Sequence, residues 1–245
     1  MSRHHVPKLA LKIFQKQPRS TLFLNMCGIS GIISLHPQKP VDPMVLERMT
    51  DSIKHRGPND RGTFLNREVG LGALRLSIID LVNGHQPISN ENESMWIVFN
   101  GEIYNYIALR DLVLKKGHTL KTKCDTEVIL HMYEEFGADC LQYLSGMFAF
   151  AIWDDRKKEL FVARDKMGIK PLYYTQTKNF LVFGSEMNVV MQHPEVNREI
   201  NLNSLNQYLT YEYVPTPGTI LKNIFRLEPG HFFRHSESGL KICEY

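Results

Sequence analysis

The chain has 245 residues, 43% hydrophobic and 22% charged, with 29 basic against 26 acidic residues and a net charge of +3. This is an ordinary globular composition, long enough for one large domain or two small ones around a sizeable core. No run approaches about 18 consecutive apolar residues, which excludes a spanning helix, and the net charge is too small to make nucleic acid the main partner.

The charge is unevenly placed. Residues 1–25 carry Arg3, Lys8, Lys12, Lys16 and Arg19 and no acid, so the rest of the chain has a slight acidic excess. The near-neutral body gives no electrostatic argument for a membrane or DNA surface. Cys27, Cys124, Cys140 and Cys243 include no C-x-x-C pair. A disulfide scaffold, a zinc ribbon and a thioredoxin-like motif are therefore not expected, and neither is a metal site; reduced thiols in a cytoplasmic protein are.

The elements follow in order. Residues 1–26 read as a basic extension. Lys8 and Lys12 interrupt its only apolar stretch, which argues against a secretory signal. A misassigned start, a pro-segment and a transit peptide remain as readings, the first preferred over the last. From Cys27 to Ile33 small and β-branched residues predict a buried strand. Asp42 followed by Pro43 predicts a helix start, with Leu46, Met49, Thr50 and Ile53 on its inner face. His55-Arg56-Gly57-Pro58-Asn59-Asp60 reads as the turn that ends it.

Strands are expected over Val69–Ile79 and Met95–Phe99. Helices are expected from an Asn105 cap to Lys116 and from an Asp125 cap to Gly137. Short strands then follow at Met147–Trp153, Leu160–Ala163, Leu172–Thr175 and Phe180–Phe183. Strands and helices are segregated and the second half is an antiparallel meander, which gives the class α+β. Residues 27–210 are read as one domain. Residues 211–245, with Pro215, Pro217, Gly218, Pro229 and Gly230, are read as its end and a connection to a missing second domain.

Common catalytic signatures are absent: no P-loop, no dinucleotide fingerprint, no nucleophile elbow and no H-E-x-x-H. One constellation remains, at Cys27. If Met26 is the true start, its removal leaves Cys27 with a free α-amine that titrates near 7.7–8. One residue then supplies both the nucleophile and its base.

A run of motifs meets this residue. Met26-Cys27-Gly28-Ile29-Ser30-Gly31 is followed by His55-Arg56-Gly57-Pro58, Arg75-Leu76-Ser77-Ile78-Ile79-Asp80 and Phe99-Asn100-Gly101-Glu102-Ile103-Tyr104-Asn105. Then come Asp125-Thr126-Glu127-Val128-Ile129, Gly146-Met147-Phe148-Ala149-Phe150, Arg164-Asp165, Gly168-Ile169-Lys170-Pro171-Leu172-Tyr173 and Ser185-Glu186-Met187. In this order, across about residues 26–245, they resemble the class II glutamine amidotransferase (glutaminase) domain of glutamine-hydrolysing asparagine synthetases.

The resemblance implies an N-terminal-nucleophile hydrolase fold, an αββα sandwich of two antiparallel sheets covered by helices. It implies Cys27 as nucleophile, Asn100 and Gly101 as oxyanion hole, Arg75 for the α-carboxylate of glutamine and Asp125 for its α-ammonium. Glu102 and the backbone of Ile78 and Ile79 would line the same pocket. It implies no cofactor in this chain. ATP and magnesium would belong to a synthetase domain or separate chain reached past residues 215–230, and the family's habit of pairing makes a homodimer one further option.

Each residue also has a plainer reading. Asn100-Gly101 is a tight-turn signal, Arg75 a structural ion pair, Asp125 a helix cap, and His55-Arg56-Gly57-Pro58 a loop brace with no catalytic part. Two other functions stay open: a catalytically silent partner module, because an amide-bonded Cys27 nitrogen cannot act as base, and an amidotransferase serving another acceptor.

Overall fold

A computed structural model describes residues 26–76, 79–80 and 83–245. Ser77, Ile78 and the basic extension up to Asn25, which were singled out from the sequence, lie outside the described residues.

The first strand, β1 (Gly28–Ser34), starts one residue after Cys27 and is buried almost throughout. Helix α1 (Pro43–Asp51) begins as its sequence predicts: the Asp42 carboxylate accepts from the backbone N–H of Met44 and Pro43 takes the first position. Strands β2 (Asp60–Leu65) and β3 (Val69–Arg75) return antiparallel, and β1 and β3 pair from Gly28↔Leu74 to Ile33↔Val69. β3 ends at Arg75, four residues short of the expected end. There the chain folds back so that the carbonyls of Ile79 and Asp80 accept from the Arg75 guanidinium at 2.5 and 2.8 Å; those carbonyls are then lost to any ladder.

Strands β4 (Ile88–Ser89) and β5 (Met95–Ile103) come next. β5 runs four residues beyond the expected Phe99, so Asn100-Gly101 is not a turn. Both residues sit inside a ladder with β6 (Gly146–Asp154), as Asn100↔Ala149 and Gly101↔Phe148. Helix α2 (Tyr106–Lys115) has Asn105 at its cap position, but that side chain bonds the backbone of Tyr143 and Ser145 instead. Helix α3 (Asp125–Phe136) is capped by Cys124, not Asp125, which is already the first helical residue. Its carboxylate is thereby free to accept from Ile103 N–H at 3.0 Å.

The remaining strands are β7 (Glu159–Arg164), β8 (Tyr173–Gln176), β9 (Phe180–Gly184), β10 (Phe225–Arg226), β11 (His231–Ser236) and β12 (Gly239–Glu244); helices α4 (Met187–Met191) and α5 (Leu202–Tyr211) precede β10. Among the described residues one sheet has the order β10-β8-β9-β1-β3-β2 and the other β12-β11-β7-β6-β5-β4, with every pairing antiparallel.

Alternation along the strands builds the layers. In β6, Ala149, Ala151 and Trp153 pack against Ile29, Leu71 and Phe183 of the facing sheet, whereas Phe148, Phe150 and Ile152 pack under α3 against Ile129 and Met132. On the outside of the first sheet, Ile32, Leu74 and Val182 meet Leu46 and Met49 of α1 and Val189 and Val190 of α4. The result is helices, sheet, sheet, helices: the α+β sandwich expected. Among the described residues no helix is long and apolar enough to cross a membrane.

Candidate active site

The same alternation selects the side chains at one end of the gap between the sheets. Ile29 and Ile33 of β1, Val69, Leu71 and Ala73 of β3, and Val98 of β5 face that gap. Two residues further on, and therefore on the same face, stand Cys27 before β1, Arg75 at the end of β3, and Asn100 followed by Glu102 in β5. Gly28 pairs with Leu74, so Cys27 falls beside the end of β3. Its Sγ accepts from Leu76 N–H at 3.3 Å.

These residues line one cavity of about 280 Å³, together with Ile79, Gly101 and Asp125. Of the site residues named from the sequence, Ile78 lies outside the described residues.

Several polar groups in this cavity are buried without protein partners. Asn100 is 0% exposed and neither Oδ1 nor Nδ2 has a hydrogen-bond partner. Arg75 is held through Nη2 by the two carbonyls, while its buried Nη1 is unpartnered. Gly84 permits this hold: a Cβ there would sit 2.3 Å from Arg75 Nη2. Unsatisfied buried polar atoms cost stability and are rare in structural cores, so a set of them around one cavity is the mark of a site that waits for a ligand.

Gly101 adds a backbone donor. Phe148 N–H donates to Asp165 Oδ2 at 3.1 Å and its carbonyl accepts from Asp165 N–H at 2.8 Å. Phe148 thus spends its backbone groups on the side away from β5, and Gly101↔Phe148 is a non-hydrogen-bonded pair. The Gly101 N–H accordingly points away from β6. A side chain is not tolerated here, since a Cβ would lie 2.2 Å from Met147 O.

The electrostatics are those of a desolvated pocket. Burial pushes the Asp125 carboxyl up to about 6, against the pull of the Ile103 N–H bond and with a further push from Glu102. Burial also pushes the Cys27 thiol up, although Leu76 N–H, Arg75 and Lys170 pull the other way. The Lys170 ammonium is pushed down by burial. As it stands the sulfur is a thiol that needs a base.

Two motifs with no assigned chemistry brace the nucleophile. Arg56 Nε donates to the carbonyl of Cys27 at 3.1 Å and Arg56 Nη1 to Glu186 Oε1 at 3.0 Å. His55 Nε2 meets the same oxygen at 2.8 Å, and Ser185 Oγ accepts from Ile29 N–H at 2.9 Å. The brace expected of His55-Arg56-Gly57-Pro58 is therefore present, aimed at the backbone of Cys27.

Sequence reasoning missed Leu76 and Lys170. Lys170 lies in the cavity lining and its Nζ donates to Met26 Sδ at 3.2 Å. It is presented by a loop tied to Asp165, whose carboxylate accepts from the N–H groups of Met167, Ile169 and Lys170. The Arg-Asp-x-x-Gly-x-Lys spacing was visible, but nothing in it tells which side chain the loop turns inward.

A cysteine at the head of an inner strand, opening between two stacked antiparallel sheets beside buried hydrogen-bond donors, is the arrangement of the N-terminal-nucleophile hydrolase fold. Two solved structures share the fold. One is a glutamine phosphoribosylpyrophosphate amidotransferase from B. subtilis, with TM-score 0.63 and 20% identity, covering 89% of this chain and 49% of that one. The other is described as the allosteric regulatory enzyme of purine biosynthesis, with TM-score 0.62 and 21% identity over the same shares.

The family is shown by sequence. The chain belongs to the glutamine amidotransferase domain family, whose model matches residues 26–245. Asparagine synthetase (glutamine-hydrolyzing) 1 of Bacillus subtilis is 43% identical over 216 residues, covering 87% of this chain and 34% of the relative. A putative asparagine synthetase of Methanocaldococcus jannaschii is 39% identical over 224 residues, 83% of this chain and 42% of the relative. The chain thus spans a third to two fifths of the length of these curated relatives.

Proposed function

We propose that this domain hydrolyses glutamine to glutamate and ammonia through Cys27, and that the ammonia serves asparagine synthesis in a synthetase domain or chain. The observation that carries the reading is the set of buried groups without protein partners, Asn100 and Arg75 Nη1, around the cavity that also holds Cys27 and Asp125. Each matches one part of glutamine. A guanidinium suits the α-carboxylate, which its fork can bind in two places. The Asp125 carboxylate suits the α-ammonium. The distal amide carbonyl then meets Asn100 Nδ2 and the Gly101 N–H, two donors fixed before the reaction begins. Glu102 and the Ile79 backbone close the wall.

The chemistry follows from the thiol's raised pKa. The α-amine of Cys27, once freed of Met26, takes the thiol proton as sulfur attacks the amide carbon. The tetrahedral oxyanion is held by Asn100 and Gly101. Its collapse breaks the C–N bond, and the α-ammonium returns the proton to the leaving ammonia. Water then attacks the glutamyl thioester and releases glutamate. No cofactor enters these steps; ATP and magnesium would act where aspartate is activated. The names of the relatives support asparagine synthesis as the destination.

The test pairs intact-mass analysis with a glutamate-release assay. Protein beginning at Cys27 should turn over glutamine, and Cys27→Ala should not. Full turnover by chain that retains Met26 would refute the α-amine as base, and turnover by Cys27→Ala would refute the site.

A further inference from the structure

A second group of ligating side chains lies on the far side of α3, outside the cavity of Cys27. His131 and Glu134 occupy positions i and i+3 of that helix and share a face. Glu91 reaches them from the β4–β5 turn and His118 from the connection between α2 and α3. One ligand atom from each of the four lies within 4.8 Å of the other three. His131 is completely buried, His118 and Glu134 are largely buried, and Glu91 is at the surface.

The hydrogen bonds leave one place for a cation. His118 Nε2 meets Glu135 Oε1 at 3.1 Å, which makes Nε2 the protonated nitrogen. His118 Nδ1 then faces Glu91 Oε1 at 3.4 Å and Glu134 Oε2 at 3.8 Å. Three electron-rich atoms in one place repel unless a positive charge sits between them.

The second ring gives an independent sign. His131 Nδ1 contacts Glu134 Oε2 at 2.7 Å, while its buried Nε2 has no hydrogen-bond partner. With a cation on Nδ1 the proton moves to Nε2, the side on which the Glu127 carboxylate lies, 4.0 Å away. His118 has the Glu135 carboxylate hydrogen-bonded behind it, the arrangement that orients histidine ligands in metal sites. The carboxylates are themselves steered: Asn90 Nδ2 donates to Glu134 Oε1 at 2.7 Å and Thr119 N–H to Glu91 Oε1 at 2.9 Å.

We propose that Glu91, His118, His131 and Glu134 form a binding site for a divalent transition ion of the zinc class, joining the β4–β5 turn and the α2–α3 connection to helix α3. Two imidazoles and two carboxylates suit a four-coordinate borderline ion, and do not suit magnesium, which prefers six oxygens. The ion stabilises the helix whose first residue is Asp125 and takes no part in the reaction.

The test uses the full untagged chain, stripped with a chelator and titrated with zinc in competition with a chromophoric chelator, with Cys27→Ala measured alongside to set thiol binding apart. One zinc per chain is expected in both proteins, with a zinc-dependent rise in unfolding temperature that magnesium does not reproduce. His118→Ala should lose that zinc and the rise together. Glu135→Gln, which replaces the carboxylate behind His118 and gives up its ion pair with Lys116, should weaken binding about 10–100-fold. If His118→Ala does not fold, Glu91→Gln at the surface gives the same reading. Wild type that binds no zinc, His118→Ala or Glu91→Gln that keeps it at full affinity, or magnesium that competes equally would overturn the proposal.

Discussion

Asp125→Asn should make the ligand-free protein more stable while it destroys glutamine binding. The folded carboxyl titrates at about 6 against an ordinary 3.8, because burial opposes its charge more than the Ile103 N–H bond favours it. Below 3.8 both the folded and unfolded states hold the proton and nothing is lost. As the pH rises through about 6 the folded state must release a proton that it binds more tightly, and stability falls. Above that range the carboxylate costs about 3 kcal/mol. An amide keeps an acceptor for Ile103 without the charge. Allowing for its own burial, the gain is about 2 kcal/mol at neutral pH, or roughly 4–8 °C in unfolding temperature for a chain of this size. The assay is urea unfolding of both proteins over a pH series, followed by tryptophan fluorescence. The gain should fall from about 2 kcal/mol at about pH 7.5 to near zero at about pH 4.5. Saturating glutamine should protect the wild type and not the variant. A variant no more stable at neutral pH, or a gap that does not change with pH, would refute the assignment of Asp125 as a carboxylate held ionised for its ligand.

Asn100→Ala removes an oxyanion donor and an unsatisfied buried amide together; kcat should fall about 100–1000-fold with little change in KM, by initial rates of glutamate release. Arg75→Lys cannot engage two carbonyls and a carboxylate at once, so KM for glutamine should rise about 10–100-fold, reflecting about 1.5–3 kcal/mol of charged hydrogen bonding. Gly84→Ala crowds the Arg75 guanidinium 2.3 Å away and should raise KM in the same direction without any contact to substrate. Glu186→Gln loosens the Arg56 brace on the Cys27 carbonyl, and a fall in kcat with KM unchanged is the expected split.

Patterns local in sequence were legible. The Asp42-Pro43 start of α1, its inner face of Leu46, Met49 and Thr50, and the short strands after Gly146 followed from capping and alternation, while Ile53 is buried just beyond the end of the helix. What escaped depends on contacts distant in the chain. Asn100-Gly101 has turn chemistry, yet β6 supplies a partner strand and the ladder overrides it. Asp125 looks like a cap, but its true partner is Ile103, on a strand that leaves no trace in the helix sequence. β3 stops at Arg75 because a buried guanidinium needs acceptors, and the nearest carbonyls are the next turn's own. Helices α4 and α5 carry no strong signal; α5 buries only Ser204. Within the site, Cys27, Arg75, Asn100, Gly101 and Asp125 were named from motif order, whereas Lys170 and Leu76 needed three dimensions.

The nucleophile rides on one slab of the sandwich and the oxyanion donors ride on the other. Their spacing is therefore set by the hydrocarbon between the slabs, where Phe183, Trp153 and Phe233 are almost wholly enclosed. Trimming such a ring remote from the substrate lets the slabs settle or slide, and a displacement of an ångström at the reacting atoms costs about 100-fold in rate. The grease of this protein is thus a gauge block for its chemistry, and its thickness should register in kinetics as well as in calorimetry.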